Sequence, residues 1–238
     1  MSGQQIAANP IDLSGTDATG SLAIARLPAL TGDVTTSAGS AATTIGSNVV
    51  TNSKLAQMPA NTIKGNDTGS TANVSDLAAV QIRAVLPGIA VQTVTHQTGS
   101  LATGTAPTPF DDTVPQSSEG TQFMSLSVTP TNAASMLLID VVVSISSNIA
   151  LSTPTAALFQ DGGTSAIAAM STLAAVATGI YTIAFRHSTA AGTTSSTTFK
   201  VRIGGTQSGE TLTFNGTSGA RNLGGVMASS ITVTEYLP

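Results

Sequence analysis

No aromatic side chain occurs before position 110. All eight, Phe110, Phe123, Phe159, Tyr181, Phe185, Phe199, Phe214 and Tyr236, lie in the C-terminal part of a 238-residue chain. Aromatics bury the most area per residue, so residues 1–109 have only scattered aliphatic side chains from which to build a core. Among these are Leu22, Ile24, Leu27, Leu30, Val34, Ile45, Val49, Leu55 and Ile63, set among Gly, Ser and Thr. Such a segment buries too little surface alone to offset its chain entropy. Two outcomes are open: it is disordered, or other copies of itself order it. The regular sprinkling of apolar residues favours a thin intertwined shaft with a core shared between identical chains.

Two short helices are expected within it. Thr51 caps a turn through residues 52–57, which stops before Pro59. Ser75 caps a longer helix over residues 76–86, with Asp76 in its first turn and Pro87-Gly88 at its end. Leu77, Val80 and Ala84 fall at helical spacing, and Ile82, Val85 and Leu86 widen the apolar face. A stripe that wide implies burial against neighbours, as in a three-helix junction.

From about Val91 the period changes to two. Met124, Leu126 and Val128 alternate with serines, and Leu137, Ile139, Val141, Val143 and Ile145 form one apolar face. Tyr181, Ile183 and Phe185, then Leu212 and Phe214, then Ile231 and Val233 repeat the pattern. It is clearest where Phe199, Val201 and Ile203 alternate with Thr198, Lys200 and Arg202. Turn chemistry marks Asp161-Gly162-Gly163, Gly204-Gly205, Asn215-Gly216 and Gly224-Gly225. The expected fold class is mainly β: the shaft with short helices near 51–57 and 75–86, then an antiparallel, jelly-roll-like β-sandwich. The strand Met136–Ile145 is apolar on both faces, which predicts a second buried surface between subunits. The expected division is a segment 1–20 with least pattern, a shaft over 21–90 and a sandwich over 91–238.

Composition excludes several classes. Twenty charged side chains, eight basic and twelve acidic, make 8% of the chain, and the net charge is −4. A nucleic-acid surface needs a basic footprint, and none exists here. Without cysteine no disulfide framework forms. The stretch 162–185 is long enough for a membrane span, but Gly, Ser and Thr interrupt it, and two strands with a connection fit better. The N-terminal MSGQQIAANPIDLSG has neither a basic nor an apolar region of a signal peptide.

The block Leu30-Thr31-Gly32-Asp33-Val34-Thr35, then Ala41–Ile45, then Val50–Gly69 with its core "KLAQMPANTIKGN", resembles the repeat region of tailed-bacteriophage fibre proteins. Ala157–Gly162, Ala166–Ala169, Asn215-Gly216-Thr217 and Ser229–Tyr236 resemble β-rich fibre tips. The resemblance implies a homotrimeric fibre located in the virion. Residues 1–20 would attach it to another virion protein (portal, neck, baseplate or capsid). Its C-terminal domain would bind a host cell-surface receptor, a glycan. The alternatives are a glycan-depolymerising fibre, or a capsid or collar decoration protein without a receptor.

Catalytic and cofactor signals are absent from the sequence. The histidines are His96 and His187; no Gly-x-Ser-x-Gly elbow supplies a serine nucleophile for either, and there is no Cys, no HExxH and no EF-hand spacing. No enzyme, cofactor or metal site is expected. The adjacent Asp111-Asp112 is taken as a solvated loop, and Asp140 as a polar position on the second strand face. For receptor contacts the glycine-rich polar segments 187–196 and 215–222 stand out, with candidate residues Asn215, Arg221, Asn222 and His187.

Overall fold

The computed structural model describes residues 28–86 and 88–238. The expected anchor 1–20 and the first seven residues of the expected shaft lie outside the described residues. The chain divides into two units, between Ala60 and Asn61.

In the first unit β1 (Val34–Thr35) pairs antiparallel with β2 (Thr44–Ile45). Lys54 Nζ pairs with the Asp33 carboxylate and donates to Val49 O at 2.8 Å. The helix expected over 52–57 is a single 3-10 turn, Asn52–Lys54. Six residues cannot repay helix nucleation alone, and the Lys54 side chain is drawn to Asp33 and Val49 instead. Leu30, Val34, Ile45, Val50, Leu55 and Met58 are all exposed.

The second unit begins with a hairpin. β3 (Ile63–Gly65) pairs antiparallel with β4 (Ser75–Leu77), and Lys64 Nζ meets Asp76 Oδ1 at 2.6 Å. Leu77 is buried. This pairing takes the first turn of the helix expected over 76–86, which shrinks to α1 (Ala79–Ala84). Ser75 and Asp76 are therefore strand residues, not a cap. Ala78 supplies no side-chain cap, and Gln81 Oε1 accepts the Ala78 N–H instead, at 3.0 Å.

The remaining strands are β5 (Ala90–Thr98), β6 (Ala102–Gly104), β7 (Thr121–Val128), β8 (Met136–Ser147), β9 (Thr155–Gln160), β10 (Ala168–Ser171) and β11 (Ile180–Ala190). After them come β12 (Thr197–Gly204), β13 (Leu212–Phe214), the small hairpin β14 (Gly216–Thr217) and β15 (Ala220–Arg221), and β16 (Ser229–Tyr236). They form a four-stranded sheet, β10-β9-β12-β7, and a six-stranded sheet, β5-β16-β8-β13-β6, with β11 on β8. All pairings are antiparallel. One edge of β8 takes β16 and then β13, and its other edge takes β11 along its whole length. The fold is thus mainly β with antiparallel sheets.

Period-two alternation builds the core. Leu137, Ile139, Val141, Val143 and Ile145 of β8 face Phe199, Val201 and Ile203 of β12 and Met124, Leu126 and Val128 of β7 in one buried cluster. Phe123 stacks on Phe214 with ring centroids 5.0 Å apart. Each such large side chain contributes about 1.5–3 kcal/mol by leaving water. The outer face of the four-stranded sheet is covered in part by the segment between β6 and β7. That segment is held by Thr108 N to Gly205 O, Ser117 N to Thr164 O and Ala166 N to Pro115 O. Under this strap Ala157 and Phe159 are buried although they point away from the core cluster.

Candidate functional site

The residues expected to contact a receptor do not form one site. Asn215 is fully buried. Its backbone sits in the left-handed region at φ 55°, which asparagine tolerates. Its Nδ2 donates to Thr98 O (2.8 Å) and Ser100 O (3.2 Å), and its Oδ1 accepts from Ser229 Oγ (2.7 Å). Every polar atom of the side chain ties strands together, so Asn215 is a structural lock and not a ligand contact. His187 lies within β11, opposite Ile139, half-buried, and not in a loop. Arg221 is exposed in β15, and Asn222 precedes the 3-10 turn Leu223–Gly225. The β14–β15 hairpin is tied to the other end of β11 by Thr217 Oγ1 donating to Thr178 O. His187 is seven positions beyond Ile180, roughly 23 Å along a strand. The four candidates therefore cannot act on one small ligand.

Of the acidic residues of the second unit, Asp112 is exposed with no side-chain partner, and the others are held structurally. Asp111 accepts from the hydroxyl and N–H of Thr113, which keep its carboxyl below the usual range. Asp140 pairs with Arg186 at 2.6 Å on the outer face of the six-stranded sheet, and the same contact raises the Arg186 pKa. Asp161 accepts from Thr197 Oγ1 and Thr198 N. Glu119 caps Gln116 N.

Two of the carboxylates, Glu210 and Glu235, are buried. Glu210 accepts from Ser147 Oγ (2.7 Å), Ser152 Oγ (2.5 Å) and Gln207 N (3.0 Å), joining two loops. Glu235 accepts from Gln92 Nε2, Thr131 N, Thr131 Oγ1 and Asn132 N. Burial opposes its ionisation, but the hydrogen bonds from Gln92 and Thr131 prevail and hold its pKa at about 2. The signal for Glu235 was in the pattern: it continues the inward series Ile231, Val233. Among the described residues no group of His, Cys, Asp and Glu is arranged to hold a metal ion, and no helix is long and apolar enough to cross a membrane.

Among the described residues, two cations converge on the outer face of the four-stranded sheet. Lys200 and Arg202 stand two apart on β12, beside Gln122 of β7, Ser117 of the strap and the Asp161-Gly162-Gly163 turn. Together they line a cleft of about 210 Å³. Lys200 Nζ donates to Asp161 O (2.7 Å), and Arg202 Nε and Nη2 donate to Glu119 O (2.8 Å) and Gly120 O (2.7 Å). Alternation had placed both residues on the outward face of one strand.

These features define a β domain of two packed antiparallel sheets with a strap across one of them. Residues 110–238 match the family model described as the Pgp3 C-terminal domain. That is more than half of the chain, and the chain belongs to this family. The bacteriophage-fibre expectation is thereby corrected, and the location in a virion falls with it. The family match does not reach the Leu30–Leu86 block. The supposed tip residues are ordinary strand and turn grammar: Ala157–Gly162 is β9 with its turn, and Asn215–Thr217 is the β13–β14 junction.

Comparison with curated proteins finds no match. Two solved structures share a slight likeness. The infectious bursal disease virus Gt strain is 12% identical over 73% of this chain, with a TM-score of 0.32. The infectious bursal disease virus VP2 subviral particle is 11% identical over 74%, also at 0.32. The chain spans 42% of the length of each. Likeness at this level assigns neither a fold nor an activity.

Proposed function

We propose that the chain is a non-enzymatic recognition protein that works as a homotrimer. Its first unit is a shaft completed by identical copies. Its C-terminal domain is a jelly-roll-like sandwich that binds a host cell-surface glycan. The observation that carries the self-association is the exposure of apolar side chains. In the described part of the first unit, no large apolar side chain is buried. On the outer face of the six-stranded sheet Met136, Val142 and Ile180 are exposed as well. Surfaces this apolar on a chain with so few charges are covered in a stable assembly. The non-enzymatic reading draws on the acids. A glycosidase needs two carboxylates free to flank a sugar. Here Asp111, Glu119, Asp140, Asp161, Glu210 and Glu235 are each held by a structural partner, which leaves Asp112 as the single unpartnered side-chain carboxylate of residues 91–238 where two are needed.

Sedimentation equilibrium of the full chain tests the assembly. The expected mass is three times the 23.6 kDa of one chain. A folded, monodisperse monomer at micromolar concentration overturns the reading.

A further inference from the structure

We infer that the cleft between Lys200, Arg202, Ser117, Gln122 and the Asp161-Gly162-Gly163 turn binds the anionic group of an acidic sugar, a carboxylate or a sulfate. The inference deepens the glycan-binding reading above and rests on it.

The two cations are placed but not neutralised. Among the described residues neither Lys200 nor Arg202 has a carboxylate within ion-pair distance; the three ion pairs there are Lys54–Asp33, Lys64–Asp76 and Arg186–Asp140. The nearby acids are engaged elsewhere. The Asp161 carboxylate accepts from Thr197 Oγ1 at 2.8 Å and Thr198 N at 2.7 Å, and Glu119 Oε2 accepts from Gln116 N at 2.9 Å. What holds the cations is main-chain carbonyl oxygen. Two of the five guanidinium N–H groups of Arg202 are spent on Glu119 O and Gly120 O, and one ammonium N–H of Lys200 on Asp161 O. The remaining donors serve an anion from side chains already fixed in place, which lowers the ordering cost of binding. Two like charges on one strand face repel until an anion sits between them.

The size and lining argue for a sugar. A cleft of about 210 Å³ is smaller than the ~300–1,000 Å³ pockets of drug-sized ligands and takes about one ring. Ser117 and the Gln122 amide offer hydrogen bonds suited to hydroxyls. Phe159, which also lines the cleft, is buried and supplies an apolar floor. In a chain of net charge −4 this is a local exception, so an acidic ligand meets attraction here and repulsion elsewhere.

Titration calorimetry on the full chain tests it, with four probes: a sulfated disaccharide, a uronic-acid disaccharide, their uncharged analogue and a polyglutamate peptide. At least one acidic sugar is expected to bind, the uncharged one at least tenfold more weakly, with affinity falling as salt rises. K200Q and R202Q should each weaken binding about tenfold. R202Q also frees the strap carbonyls, so K200Q, which releases a single carbonyl, is the decisive variant if R202Q fails to fold. Unchanged affinity in folded K200Q overturns the site while leaving the glycan reading standing. Binding of neither acidic nor neutral sugar overturns both. Binding of a polyglutamate peptide in place of the sugars overturns the inference in favour of an acidic-protein partner.

Discussion

Glu235 concentrates the chemistry of the fold in one side chain. It is fully buried on β16 where the register with β5 shifts, and its carboxylate gathers donors from β5 and from the Thr131-Asn132 turn. Its folded pKa is depressed from 4.5 to about 2. The stability it contributes is therefore complete above the unfolded value and is lost as pH falls through the folded one. The difference corresponds to about 3 kcal/mol. In denaturant titrations E235Q should be less stable than the wild type at pH 7 by about that amount. The gap should close between pH 4.5 and 2. A gap that stays constant across this window would show that another group carries the acid sensitivity. Asn215 makes a similar claim without titrating. N215A removes three hydrogen bonds in a dry site and leaves the Ser229 hydroxyl without its acceptor, at a cost of about 3 kcal/mol. The same experiment separates its structural role from a receptor role: wild-type sugar affinity in whatever fraction still folds is the expected result.

Among the elements, the β3–β4 hairpin and α1 depend most on a single contact set. Leu77 is buried at the strand end, against Gly65. L77A should destabilise this region by about 2–3 kcal/mol. A six-residue helix does not hold by itself, so α1 should open with the hairpin. Hydrogen exchange would then quicken over 63–84 while β8 and β12 stay protected. Equal protection in the variant would mean that α1 stands without the hairpin. This region also marks how far the sequence could be read. Where each residue's neighbour is two positions away, as in β8 and β12, alternation gives strand, face and core together, and Leu137–Ile145 and Phe199–Ile203 follow it. Ser75-Asp76-Leu77 has a good local helix start, but pairing with Ile63–Gly65 outweighs it, and a contact across a turn leaves no periodic mark. Asn215-Gly216 failed as a site for a related reason: the turn was legible, but not that Thr98, Ser100 and Ser229 close around it. The Lys200–Arg202 cleft was half legible, since one strand sets their common face while the strap and the 161–163 turn that shape it are distant in sequence.

At the scale of the whole molecule, the outer face of the six-stranded sheet is the feature a monomer does not explain. Its rows run Thr95, Thr232, Asp140, Arg186 and, next to it, Gln97, Ser230, Val142, Ala184, across β5, β16, β8 and β11. Only one ion pair, Asp140–Arg186, sits among small polar and aliphatic side chains. A solvent-facing antiparallel sheet ordinarily alternates apolar-in with strongly polar-out. Here the outward positions carry little hydration to lose, so the proposed second copy would dock without stripping water from many charges. Placing a carboxylate at Val142, between Ala184 and Ser230, adds a charge that three copies would bring together. Val142 is exposed in the single chain, so V142E leaves the core intact. In sedimentation the variant should shift from trimer towards monomer, with the β signal in circular dichroism unchanged and the added charge felt most at low salt. A V142E protein that remains trimeric would move the interface away from this face and leave the exposed side chains of the first unit as the sole basis for assembly.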